Sequence, residues 1–174
     1  MMDTQHLQAI FNETFSGLTF FYRDTDLPEE MIAKYRVGQI LKARGFTDMS
    51  YKGGGLAANF RYLIASAFGK DISALDPNAA QFGHIMLVSD AYFKVLDIYT
   101  IGEKTQVTLL NIPAHAADIF KSIKTNIEED IVKKARQSFD QKVNAEPVAE
   151  LQTPAWVLRT KLPVGMNTEG EMFV

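Results

Sequence analysis

The amino-acid sequence predicts an α+β domain: an antiparallel sheet of four to five strands packed with N-terminal helices and with a helix pair over 113–143. Three observations lead there. Strand-like runs are grouped in the chain rather than alternating with helices, which disfavours a parallel α/β fold. Residues 83–111 read as a three-stranded meander with short turns, and strands joined that closely are expected to pair antiparallel. The 174 residues are 47% hydrophobic, with 12 Phe and 6 Tyr, which is enough apolar material for one core.

In chain order, Leu7, Ile10, Phe11, Phe15 and Leu18 recur at steps of three and four, the spacing of one helix face. Asp3 or Thr4 suits its N-cap, and Gly17 its end. Leu18 to Tyr22 reads as a short strand or a buried connector. A longer helix is expected over 27–44. Asp26 and Glu29 stand at capping-box spacing, Pro28 falls in the first turn, and Met31, Ile32, Tyr35, Ile40 and Leu41 form the apolar face. Lys42 and Arg44 suit its last turn, with Gly45 as a left-handed cap. Phe60 to Phe68 alternates like a strand, although 56–67 also admits a helix. The Asp71, Ser73, Asp76-Pro77-Asn78 cluster marks a long loop over 69–81.

His84 to Val88, Tyr92 to Ile101 and Thr105 to Leu110 are the three meander strands, rich in aromatic and β-branched residues. Asn111 and Pro113 open the helix pair. Thr125 and Glu128 repeat the capping-box spacing, and Ile127, Ile131, Ala135 and Phe139 follow at steps of four. Acidic residues begin this second helix and basic ones end it, in accord with the macrodipole. Whether 113–143 is one helix or two is open. Trp156 to Leu162 reads as a final strand stopped by Pro163. The expected organisation is one domain over 1–163 and a flexible tail over 164–174.

Composition excludes several chemistries. No cysteine means no thiolate nucleophile, disulfide or cysteine-based zinc site. A net charge of −3, with no RNP-type motif, disfavours nucleic-acid binding. No apolar run is long enough to span a membrane and the N-terminus does not resemble a signal peptide, so a cytoplasmic location is expected.

A few features carry candidate chemistry. Lys52-Gly53-Gly54-Gly55 is a loop whose backbone N–H groups suit an anion, with Arg61 nearby in sequence. It matches neither the P-loop nor the dinucleotide glycine pattern. Asp97 is a carboxylate inside a strand, a candidate general base or simply a cross-strand ion-pair partner. Parity groups it with Phe93, Val95 and Tyr99, and leaves open whether that face or the Lys94 face is buried. His84 and His115 are further catalytic candidates, and His115 shares a helix face with Asp118. Three histidines without a ligand motif point to no metal site, and no cofactor is expected. No Gly-x-Ser-x-Gly elbow surrounds Ser66. The tail ends in Met172-Phe173-Val174, an apolar segment suited to a partner groove.

With no catalytic motif present, the expected function is an intracellular binding or assembly module without catalytic activity. It would form a homo-oligomer, or engage a protein partner through apolar surface or the tail. The alternative is an enzyme or anion-binding protein whose site comprises the Gly53–Gly55 loop, Arg61 and Asp97.

Overall fold

A computed structural model describes residues 4–173, so an N-cap role for Asp3 and the terminal Val174 lie outside the described residues. Helix α1 (Thr4–Phe15) buries Ile10 and ends at Gly17, whose φ of +77° is the left-handed conformation that glycine adopts without a Cβ penalty. Strand β1 (Thr19–Thr25) follows, so the Leu18–Tyr22 run is a strand and extends beyond its apolar stretch.

The helix expected over 27–44 is replaced by a four-residue helix α2 (Glu29–Ile32), a set of turns, and strand β2 (Ile40–Lys42). Asp26 does not cap α2; its carboxylate accepts from Asn59 N instead. The reason is tertiary. Gly38 takes a φ of +92° and donates to Val95 O, while Val95 N donates to Gln39 O, so the edge of a strand captures this backbone before a helix can extend. Tyr35 and Leu41 are still buried, and Met31 and Ile32 pack on the same core. Their apolar burial is satisfied by another geometry.

Strand β3 (Thr47–Ser50) and strand β4 (Phe60–Ser66) come next, so 56–67 is resolved in favour of a strand. The 69–81 segment holds the short strand β5 (Lys70–Asp71) and two 3-10 turns. Asp71 and Asp76 cap those turns by accepting from Ser73 N and Asn78 N, as the polar cluster implied. Strands β6 (His84–Leu87), β7 (Tyr92–Ile101) and β8 (Lys104–Ile112) complete one eight-stranded sheet of order β2-β7-β8-β4-β1-β3-β6-β5. It is mixed but mostly antiparallel: β4 and β8 run parallel, and every other pair antiparallel.

The sheet is larger than four to five strands, and the meander is only half formed. β7 and β8 are a hairpin, whereas β6 pairs with β3 and β5, far from β7 in the sheet. Short connection length does not force pairing. Asp90 in the β6–β7 link has φ +65°, and the chain there leaves one half of the sheet for the other.

Helices α3 (Ala117–Ser122) and α4 (Asn126–Lys142) answer the question over 113–143 with two helices, separated at Ile123–Thr125. Thr125 and Glu128 form the reciprocal capping box that their spacing predicted. The last expected strand is instead helix α5 (Pro154–Thr160). Its buried face is Trp156 with Thr160, one turn apart, while Val157 and Leu158 face outward, so an apolar run that resembles a strand is a helix with apolar residues on both sides.

Two cores flank the sheet. On one face Phe60, Tyr62, Ile64, Phe93, Val95, Val107 and Leu109 are joined by Tyr35, Val164 and Met166. The 164–173 segment is therefore packed, with Met166 bridged to Met172. The other face carries Ala65, Leu96, Leu110 and Ile112 under α1, α3 and α4. A β-bulge between Val95 and Asp97 flips the alternation of β7. Phe93 and Val95 thus enter the first core, while Lys94, Leu96 and Asp97 face the helices.

The Tyr35 hydroxyl lies 2.5 Å from that of Tyr62 and donates to Val164 O, and Tyr62 Oη accepts from Val164 N. Burial pushes the Tyr62 phenol up to about 12 and raises that of Tyr35 well above its ordinary value. Each folded-state value exceeds the unfolded one, so these phenols stabilise the fold fully below about pH 10, and that contribution is lost as pH rises towards about 12. Urea unfolding across this range should show the loss, and Tyr62→Phe should flatten it. The same variant orphans Val164 N–H at a cost of about 1–3 kcal/mol. At Gly55, a Cβ would fall on the Ala145 carbonyl. Gly55→Ala should therefore lower stability by about 1–3 kcal/mol or more in the same assay.

Candidate functional site

Buried charge is concentrated at a few places, and most of it is paired. Arg61, 1% exposed, donates through Nε and Nη2 to both Asp24 oxygens at 2.7 and 2.9 Å, and Nη2 also reaches Gly54 O. Gly53 lies against the Tyr22 ring, Gly54 against Val148, and Gly55 N donates to Glu146 O. Lys52 Nζ donates to Gln81 O. These residues form a packing unit in which Arg61 anchors the glycine loop from beneath.

Asp97 receives a two-pronged contact from Arg136, Nε and Nη2 at 2.8 Å each. That hydrogen bonding raises the Arg136 guanidinium above its ordinary value. Beside it, Lys94 Nζ lies 2.6 Å from Glu128 Oε1 and donates to Ile123 O. Asp97, Lys94 and Glu128 line a cavity of about 540 Å³ between β7 and the α3–α4 junction, of a size that small-molecule sites have. His115 pairs with Glu13 at 3.4 Å on the surface, where such pairs contribute under about 1 kcal/mol. The Gly53–Gly55 loop, Arg61 and Asp97 do not line a common cavity. Among the described residues no group of three or more His, Asp or Glu side chains is arranged to hold a metal ion, and no helix is long and apolar enough to cross a membrane.

His84 belongs to a different constellation. It opens β6 opposite Ser50 of β3, and its Nε2 lies 2.6 Å from Asp48 Oδ1 on the same β3. With Asp48 ionised, the ring N–H donates. The imidazole is 4% exposed and meets the Trp156 ring edge-on, and Trp156 in turn stacks on Phe82. Arg159 of α5 places Nη1 3.9 Å from the same Oδ1.

Arg23 on β1 lies beside them, 6% exposed. Its Nη1 donates to Asp48 O at 2.9 Å and its Nη2 to Leu162 O at 2.8 Å, while Nε is buried with no partner. Desolvation lowers its pKa, yet a guanidinium stays charged throughout the physiological range. Arg23, Arg44, Asp48 and Arg159 line a cavity of about 520 Å³, of ligand-site size, with Phe46, Phe173 and the 162–168 segment completing its wall. Asp48 is the only acid among the described lining residues.

Sequence reasoning singled out His84 and missed its companions. Arg23 stands one residue past the apolar run that marked β1. Asp97 drew attention as a charge within an expected strand; Arg23 and Asp48 are also charges within strands, but only the structure extends β1 to Thr25 and places β3 at Thr47–Ser50.

No protein-family model and no curated protein sequence matches the chain. Solved structures do resemble it in chain path. Vis, an ADP-ribosyltransferase toxin of Vibrio splendidus, is 16% identical at a TM-score of 0.47, over 57% of this chain and 50% of that one. The ADP-ribosyltransferase HopU1 of Pseudomonas syringae is 19% identical at 0.47, over 55% and 45%. Exoenzyme S of Pseudomonas aeruginosa is 16% identical at 0.49, over 76% and 69%. The chain thus spans about half the length of Vis and HopU1 in these matches. The expectation of a module without catalytic activity is corrected at this point: the solved structures that resemble the chain are of ADP-ribosyltransferases.

The paired charges away from the Asp48 cavity have a structural consequence of their own. Lys94→Met strands the Glu128 carboxylate in the core and should lower stability by about 3–5 kcal/mol. Adding Glu128→Gln, which can still accept from Thr125 N, should recover much of that loss in urea unfolding.

Proposed function

We propose that this chain is an NAD-dependent ADP-ribosyltransferase whose dinucleotide occupies the Arg23–Asp48 cavity. One observation carries the reading: a single carboxylate, Asp48, braced by His84 at 2.6 Å, sits in a ligand-sized cavity otherwise charged only by arginines. The reaction class is that of the similarly folded enzymes, and exoenzyme S was solved with carba-NAD bound. The roles below come from this chain.

The cavity fits a dinucleotide. Arg23 is fixed by two carbonyls and keeps an orphan buried Nε–H, a donor that a phosphate oxygen would satisfy. Arg44 sits in the same lining with its guanidinium over the Phe173 ring, which holds it without using its in-plane donors. Two guanidiniums facing one cavity suit a diphosphate.

Transfer breaks the bond between ribose C1′ and the nicotinamide nitrogen, and nicotinamide leaves as a neutral molecule. Positive charge develops on the ribose, where a fixed carboxylate is most stabilising because it needs no reorganisation at the moment of reaction. Asp48 supplies that charge. The acceptor forms the new bond with its electron pair and releases a proton, for which Asp48 is the nearest base. His84 orients Asp48 by donating to Oδ1, and the Trp156 edge keeps the imidazole in place.

Incubation of the purified chain with NAD should release nicotinamide. Asp48→Asn keeps the shape of the side chain and should reduce the rate by about 10²–10³-fold, the usual loss when one preorganised electrostatic group is removed. Arg23→Lys should weaken NAD binding in calorimetry. No binding of NAD by the wild-type chain would sink the proposal.

A further inference from the structure

We infer that the cavity between β7 and the α3–α4 junction is a second ligand site, one for a small carboxylate with an aliphatic body. It shares no lining residue with the Asp48 cavity, so it stands apart from the function proposed above. Its volume of about 540 Å³ falls within the range of small-molecule sites. Leu96, Ile123 and Val132 give it aliphatic walls, and Val37, 62% exposed, adds an apolar edge. An aliphatic chain that enters leaves water for those walls, which favours binding.

The charges of the lining fix the other end of the ligand. Those that are buried are already matched. Lys94 and Glu128, 6% and 2% exposed, pair at 2.6 Å, and both oxygens of Asp97 are held by Arg136. Lys94 Nζ also donates to Ile123 O, at the extended residue where α3 ends, so the buried pair holds this wall in place without a ligand. A preformed wall spares the ligand the cost of ordering it. The unmatched charges lie on the exposed part of the lining. Among the described residues, Lys121, Lys124 and Glu129 take part in no ion pair. Two cations against one anion leave a surplus positive charge beside aliphatic walls. An anionic head is attracted there, and an ammonium head on the same chain is repelled.

The test is calorimetric titration of the full chain with octanoate, with acetate, and with octylamine, which is protonated at neutral pH. The expected result is one octanoate per chain, bound at least about tenfold more tightly than either of the others. Lys121→Glu combined with Lys124→Glu changes two exposed side chains. It should weaken octanoate binding by about tenfold while the urea midpoint stays in place. Arg44→Glu, in the Asp48 cavity, should leave octanoate affinity unchanged. Absence of octanoate binding overturns the inference, as does equal binding of octylamine or acetate. Unchanged affinity in the double lysine variant overturns it too, and loss of binding in Arg44→Glu assigns the carboxylate to the other cavity. Each of these results leaves NAD binding and nicotinamide release to be judged on their own, so the proposed function fails or stands separately.

Discussion

A guanidinium buried in the middle of a sheet is the constraint on which the rest of this structure depends. Arg23 stays charged although it is almost fully shielded from water. A charge so placed is tolerated only where acceptors are brought to it. Two acceptors arrive from separate parts of the chain: the Asp48 carbonyl of β3 and the Leu162 carbonyl beyond α5. Satisfying one side chain therefore fixes the neighbouring strand and the path of the C-terminal segment. The Thr25 hydroxyl, which donates to Lys161 O from the same strand, repeats the tie.

The cavity is a product of that arrangement. β3 lies between β1 and β6, so Asp48 has Arg23 on one side and His84 on the other. The 162–168 segment completes the wall because Val164 is bound by the Tyr35–Tyr62 hydroxyl pair in the core. Backbone groups hold Arg23, and one imidazole holds Asp48. Both side chains keep unused hydrogen-bonding capacity: Arg23 at its buried Nε–H, and Asp48 in the lone pairs that His84 does not use. Asp97 differs in this respect, both of its oxygens being taken up by the prongs of Arg136. Arg61 is bound to both oxygens of Asp24 and to Gly54 O, and also keeps a buried Nη1 without a partner. A carboxylate matched on both oxygens holds elements together and has little capacity left for a ligand.

Some of this architecture was legible in the residues alone, and the successes share a length scale. Gly17 ending α1, Asp71 and Asp76 capping their turns, Thr125 with Glu128 opening α4, and the β7–β8 hairpin all involve partners within a few residues of each other or across one tight turn. The misreadings share the opposite property. The apolar face over 27–44 was real, but the β7 edge had a stronger claim on the Gly38–Gln39 backbone than a helix did. The β6 strand was real, but its partners were β3 and β5 and not its neighbour in sequence.

The sequence by itself determined where segments start and stop, which residues avoid water, and which chemistries are closed to a chain without cysteine. Those properties follow from local backbone preference, side-chain transfer energy and composition, each written residue by residue. Only the tertiary structure decided that Arg23, His84 and Arg159 gather around Asp48. The four lie on β1, β3, β6 and α5, and no spacing in the chain encodes their meeting. A buried charge is stable only where distant groups converge on it, so the position of such a site is a property of the assembled sheet and not of any segment within it.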